Sequence, residues 1–171
     1  MENINIGVNP MDTFENTFIV PQLEFVFQID VEMGNRRKFA KTGHGCERGY
    51  GPIIGGKIAG PMLNGVVVGG SGADYPYYRP DGVFEFDATY LLEADDGTPI
   101  ILHNHGYRHG PPDIMKKLDS GEPVDPTLYY HRFRPYFEVP SGKHDWLSRT
   151  VFVGVGKRGN KVSKFRYYRV L

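Results

Sequence analysis

The sequence predicts an all-β chain, a single antiparallel β-barrel of calycin-like type with about eight or nine strands and one short helical insertion near 112–119. Three observations predict it. Several stretches alternate apolar and polar residues with a period of two, the period of a half-buried strand. The 11 Tyr and 11 Phe suit pleated sheets, while 22 Gly and 13 Pro supply the turns between them. Only one stretch carries convincing helix boundaries.

The elements follow in order. Residues 1–20 are polar and uncommitted and are expected to form a flexible N-terminal segment, leaving 21–171 as one barrel domain. "LEFVFQIDV" (23–31) places Leu23, Phe25, Phe27, Ile29 and Val31 on one face, with Val26 out of pattern. The glycine-rich stretch 43–74 fits short strands around 53–59 and 63–68, its glycines marking bulges, corners or close backbone approach. "VFEFDATYLLEA" (83–94) puts Phe84, Phe86, Ala88, Tyr90 and Leu92 on one face. "DDG" (95–97) turns the chain into a return strand, "TPIILHNHG". Pro111 and Pro112 open the helix and Gly121 closes it. Residues 128–139, 144–156 and 161–171 read as strands, the last two joined by a hairpin at 157–160.

Composition narrows the function. Twenty basic residues balance twenty acidic ones, so no net charge draws the chain to nucleic acid. The one cysteine, Cys46, excludes an internal disulfide. No apolar run reaches membrane-spanning length, and no Lys or Arg precedes Arg36 as a secretory or mitochondrial leader would require. The expectation is a cytoplasmic protein whose partner is a small organic molecule, with no nucleic acid and no membrane. The exposed aromatics permit a homodimer.

The order of several blocks resembles one family. "GGKIAGPMLNGVVVGGSGADY", "FDATYLLEADDGTPIILHNHGYRHGPPD", "GEPVDPTLYYHRFRPYFEV" and "HDWLSRTVFVGVGKR" are similar, in order and spacing, to the domain of unknown function 3237 family, from about Leu23 onward. The resemblance implies a single β-barrel and an acid at the position of Asp74; it implies no reaction. Thr89 stands where the family commonly has arginine, and His103–Asn104–His105 is richer in histidine than the pattern.

Several residues are candidates for chemistry. On a strand, His103 and His105 share a face, so the pair invites comparison with a two-imidazole metal motif. The third protein ligand expected a few residues on is His109 rather than a glutamate, so no metal is assigned. Asp87 is an acid in mid-strand, where Asp is disfavoured. With Glu93 opposite Thr98, Asp87 faces Asn104; a one-residue bulge brings it beside His103 as an acid–base pair. Asp74 follows "GGSGA" at a strand end, either capping a turn or facing a ligand. Asp87, Asp74 and His103 are therefore the catalytic candidates. Arg48, His105, His109, Tyr130, Arg132 and Trp146 are the substrate-binding candidates, offering a guanidinium clamp, imidazoles and aromatic walls. "GGSGAD" lacks the ending of a phosphate loop, and no Gly-x-Ser-x-Gly elbow is present.

The function expected from this inventory is cofactor-independent acid–base chemistry, an isomerase, cyclase or lyase acting on an aromatic or polyketide-like substrate. A non-catalytic small-molecule-binding barrel is the alternative. A metal-dependent enzyme using His103 and His105 is the third.

Overall fold

The computed structural model describes residues 19–159 and 161–171. Eleven strands run in chain order: β1 (Leu23–Met33), β2 (Arg37–Lys41), β3 (Glu47–Ala59), β4 (Gly65–Val67), β5 (Ala73–Asp74), β6 (Tyr77–Tyr78), β7 (Phe84–Ala94), β8 (Pro99–His109), β9 (Tyr130–Glu138), β10 (Phe152–Lys157) and β11 (Val162–Val170). The sheet runs β1-β11-β10-β9-β8-β7, passes through the three short strands β4, β5 and β6 to β3, and closes where β3 pairs with β1. Counting β4–β6 as one interrupted stave, this is a closed antiparallel barrel of eight strands, with β2 flanking β3. Closure leaves no open edge around the ring. One helix, α1 (Pro112–Asp119), links β8 to β9, where the proline and glycine signals placed it. The N-terminal segment expected to be flexible lies outside the described residues up to position 18.

Alternation survives in the long strands because one face of each is buried. In β7, Phe84, Phe86, Ala88, Tyr90 and Leu92 all point inward. In β9, His131, Phe133, Pro135 and Phe137 do so. β1 departs from its sequence pattern for a local reason. Its pairing with β11 shifts register between Phe25 and Phe27. Val26 and Phe27 are therefore both fully buried, while Leu23 and Phe25 turn outward.

Residues 144–156 do not form one strand. Asp145–Arg149 is a 3₁₀ turn, and β10 begins only at Phe152. Local bonds hold the turn: Ser148 Oγ donates to the Asp145 carbonyl at 2.8 Å, and Thr150 Oγ1 to the Trp146 carbonyl at 2.7 Å. Hydroxyls that satisfy nearby carbonyls compete with a ladder, and period-two patterning does not register that competition. The turn inserts Leu147, 1 % exposed, into the end of the barrel near Phe137 and Phe152. That end is packed with apolar side chains; the interior becomes polar only towards the other end.

Candidate active site

The turn between β7 and β8 decides which residues face inward. Ala94 and Thr98 close a three-residue loop, with Ala94 N–H donating to the Thr98 carbonyl at 3.0 Å and Gly97 at φ +81°. Glu93 therefore pairs with Pro99 rather than Thr98, and Asp87 lies opposite His105. This differs from both registers expected from the sequence, which placed Asp87 across from Asn104 or beside His103. Even-numbered residues of β8 point inward, so Ile100, Leu102, Asn104 and Arg108 are buried, whereas His103, His105 and His109 line the outer wall.

Outside, each histidine has cross-strand company. The His103 ring stacks on Tyr136 at 4.2 Å, with Nε2 2.6 Å from Glu138 Oε1 and Nδ1 3.1 Å from Thr89 Oγ1. Nε2 of His105 is 3.0 Å from Glu85 Oε1, and His109 stacks on Tyr130. Asp87, Tyr130 and Arg132 are exposed on the same outer surface. The Arg48 guanidinium lies 3.6 Å above the Tyr77 ring, and Trp146 packs beside Phe152 in the 3₁₀ turn. Among the described residues no three His, Cys, Asp or Glu side chains converge as a metal site. Of the nine sequence candidates, the structure brings Asp74 alone to the interior cavity.

That cavity is small, about 30 Å³. It is a narrow slot. Phe84, Phe86 and Phe165 form apolar walls, and Tyr90 and Asn104 lie at its inner end. Asn104, 2 % exposed, donates through Nδ2 to Tyr167 Oη at 2.7 Å and to Tyr90 Oη at 3.4 Å. Its Oδ1 has no partner among the described residues. Burial pushes both tyrosine hydroxyls well above their ordinary acidity range, so both stay protonated and able to donate.

Asp74 sits on β5 between Gly51 of β3 and Ala88 of β7. It is 5 % exposed, and its Oδ1 accepts the Asp87 backbone N–H at 3.1 Å. Burial raises its carboxyl to about 6, against the opposing pull of Arg36, that N–H and Arg108. A carboxyl poised there exchanges a proton near neutrality. His131 faces the same space from β9, opposite Arg108. Burial first, then the nearby arginines, hold its imidazole down at about 3, so it is neutral at pH 7. Two glycines of β10 make the room. A Cβ on Gly156 would stand 2.5 Å from the His131 ring, and one on Gly154 2.0 Å from the Phe133 ring.

Sequence reasoning passed over Asn104, Arg108, Tyr90 and His131 as site residues, although alternation with Ile100 and Leu102 places the first two on a core face. A polar side chain in phase with apolar neighbours was the available signal. Arg36 and Arg158 come from connections, where no periodicity marks a direction.

A closed small barrel with an acid buried in a slot at its polar end defines a class, small barrels built around an interior pocket. Within that class, residues 21–170 match the family described as "Protein of unknown function (DUF3237)", and the chain belongs to that family. The UPF0311 protein RPA1785 of Rhodopseudomonas palustris is 38 % identical over 142 residues, covering 82 % of this chain and 92 % of the relative. Its crystal structure superposes with a TM-score of 0.82 at 34 % identity, over 90 % of this chain and 99 % of that one. A beta-barrel like protein from Acinetobacter baumannii gives 0.79 at 34 % identity, over 92 % and 100 %. A more distant relative, the hydroalkoxylation enzyme phnH of Penicillium herquei, is 23 % identical over 150 residues, covering 88 % of this chain and 84 % of the relative. The crystal structure of an enzyme from Penicillium herquei shares the fold, with a TM-score of 0.66 at 22 % identity, over 88 % and 95 %.

Proposed function

We propose that the protein is a cofactor-independent acid–base enzyme that adds a hydroxyl group of its substrate across a carbon–carbon double bond of the same molecule, conjugated to a carbonyl, or catalyses the reverse elimination. The observation that carries this reading is Asp74, a carboxyl held at about 6 in an apolar-walled slot that also contains positive charge. The name of the Penicillium herquei relative, a hydroalkoxylation enzyme, supports it. An aromatic or polyketide-like substrate suits the phenylalanine walls.

The chemistry balances without a cofactor. The Asp74 carboxylate takes the hydroxyl proton as the oxygen bonds to the β-carbon. The π electrons of the double bond move to the carbonyl oxygen as an enolate. Arg108 and the hydroxyl of Tyr90, both lining the slot, stabilise that developing charge. The α-carbon then takes the proton back from Asp74, so substrate and product are isomers. Neutral His131 and the Asn104 amide orient polar groups without adding charge.

Cyclisation of small hydroxy-enones, such as 2′-hydroxychalcone closing to a flavanone, tests this by chiral chromatography, because the uncatalysed reaction gives a racemate. The expected result is an excess of one enantiomer, lost in Asp74→Asn with a fall in kcat of roughly 10²–10⁴-fold. Activity should rise with pH through about 6, as Asp74 ionises. His103→Ala and His105→Ala should leave kcat within about twofold, since both rings lie outside the slot. Racemic product from every enone, with tight retention of ligand, would favour the binding-barrel reading instead. Full activity in Asp74→Asn would remove the proposed base.

A further inference from the structure

The open end of the slot has more positive charge than its surroundings neutralise. Arg36, Arg108 and Arg158 all line it, and the carboxyls facing them are Asp74 and Asp119. Asp119 reaches Arg108 Nη2 at 3.1 Å from the last turn of α1, with 65 % of its side chain exposed. Among the described residues, the Arg36 guanidinium makes one hydrogen bond, to the Met33 sulfur at 3.0 Å, and that of Arg158 one, to Ser163 Oγ at 3.5 Å.

The unmet donors are as informative as the charge. Arg108 is 2 % exposed, yet its Nε has no partner among the described residues; Nε of Arg158 is also buried and unpaired. A buried guanidinium donor without an acceptor costs free energy unless a ligand supplies one. The nearest neutral candidate, His131, presents an Nδ1 that also lacks a partner. Outside, a hollow shares Phe84 and Arg108 with the slot; its Lys38 is paired to Glu47 and its Arg79 to Asp81 and Glu85, which leaves Lys41 as its lysine without an ion pair among the described residues.

We infer that the slot binds a planar oxyanion, a carboxylate or an ionised phenol or enol on a flat ring, with the charged group held by Arg36, Arg108 and Arg158 and the ring at the slot's open end. This rests on the reading of the slot as the substrate site, and it specifies the substrate as an acid. Guanidinium forks match two coplanar oxygens, and a slot of about 30 Å³ has room for the charged group but not for the ring behind it. The anion would take over the donors that the protein leaves open and compete with Asp119 for Arg108.

Calorimetric titration of the full chain at pH 8 with benzoate, 4-nitrophenolate and neutral benzamide tests the inference. Benzoate or 4-nitrophenolate should bind at least tenfold more tightly than benzamide, and the comparison between the two anions separates carboxylate from phenolate. Arg158→Gln and Arg36→Gln, both only partly buried, should each weaken anion binding at least fivefold and leave benzamide unchanged. Asp74→Asn should retain or tighten anion binding while abolishing cyclisation, so binding and catalysis are scored separately. Equal affinity for the anions and benzamide overturns the inference, as does the absence of anion binding at millimolar concentration. So does unchanged anion affinity in both arginine variants, provided their circular dichroism matches the parent. Failure of every enone to react, with anion binding intact, would overturn the catalytic reading alone.

Discussion

Asp74 and His131 set opposing proton-linkage slopes on one fold. Asp74 holds its proton more tightly folded, at about 6, than at its ordinary 3.8. Raising the pH from 4 to 6 therefore ionises the unfolded chain first and weakens the fold, by on the order of 3 kcal/mol above pH 6. His131 holds its proton less tightly folded, at about 3 against 6.5, so its neutral burial is fully tolerated above 6.5. Lowering the pH from 6.5 towards 3 protonates the unfolded chain first and also weakens the fold. Between pH 4 and 6 the two effects run against each other. Asp74→Asn removes one of them. It should raise Tm by roughly 5–10 °C at pH 8 and leave Tm unchanged below about pH 3.5. Its stability should also climb with pH from 4 to 6.5 more steeply than that of the parent. Differential scanning calorimetry across pH 3–8 checks all three. A residue that lowers stability where it is ionised, at a cavity wall, is the behaviour expected of a catalytic carboxyl.

At the scale of the element, β10 shows how a strand is emptied so that its neighbour can carry a large ring inward. Gly154 and Gly156 are two of the three inward positions of β10, after Phe152, and they face Phe133 and His131 of the adjacent strand. Gly156→Ala should destabilise by about 1–3 kcal/mol through overpacking, measured by urea unfolding, and should also lower kcat by moving His131. Gly154→Ala meets the Phe133 ring still more closely and should cost at least as much. The long strands were legible in the sequence because their inner faces are nearly continuous core; β7 and the inner face of β9 are instances. β2, β5 and β6 were not, being too short to show a period. The outer histidines attracted attention because imidazoles are conspicuous in a sequence, whereas the direction of a side chain depends on the length of the turn before it. One residue separated the expected pairing, Glu93 with Thr98, from the one observed, Glu93 with Pro99.

For the whole molecule, the barrel is sealed where its first and last strands meet. β1 pairs with β11 along its length and with β3 on its other side. Gln22 and Leu171 exchange backbone hydrogen bonds, with Leu171 N–H donating to Gln22 O at 2.8 Å and Gln22 N–H to Leu171 O at 3.4 Å. A circular permutant joining Leu171 to Gln22 through Asn-Gly, with new termini in the exposed stretch 140–142, should fold to the same circular dichroism spectrum. Its Tm should fall by less than about 10 °C. Losing the barrel signal instead would mean that β1 and β11 cannot form as a linked hairpin.

The three-residue turn at 95–97 has a consequence for how such a pocket diversifies. Ile100 and Leu102, both fully buried, share their parity with Asn104 and Arg108. A slip by one residue would expose both apolar side chains, at a cost of roughly 2–3 kcal/mol each. The lower half of β8 thus anchors the orientation of the upper half, and the bonds of Asn104 to Tyr167 and Tyr90 and of Arg108 to Asp119 hold the same register. A polar replacement at 104 or 108 keeps the strand's orientation as long as Ile100 and Leu102 stay buried. Point substitution can thus change the lining of the slot within this scaffold, whereas a single-residue insertion or deletion in the turn would exchange the inward set for the three histidines.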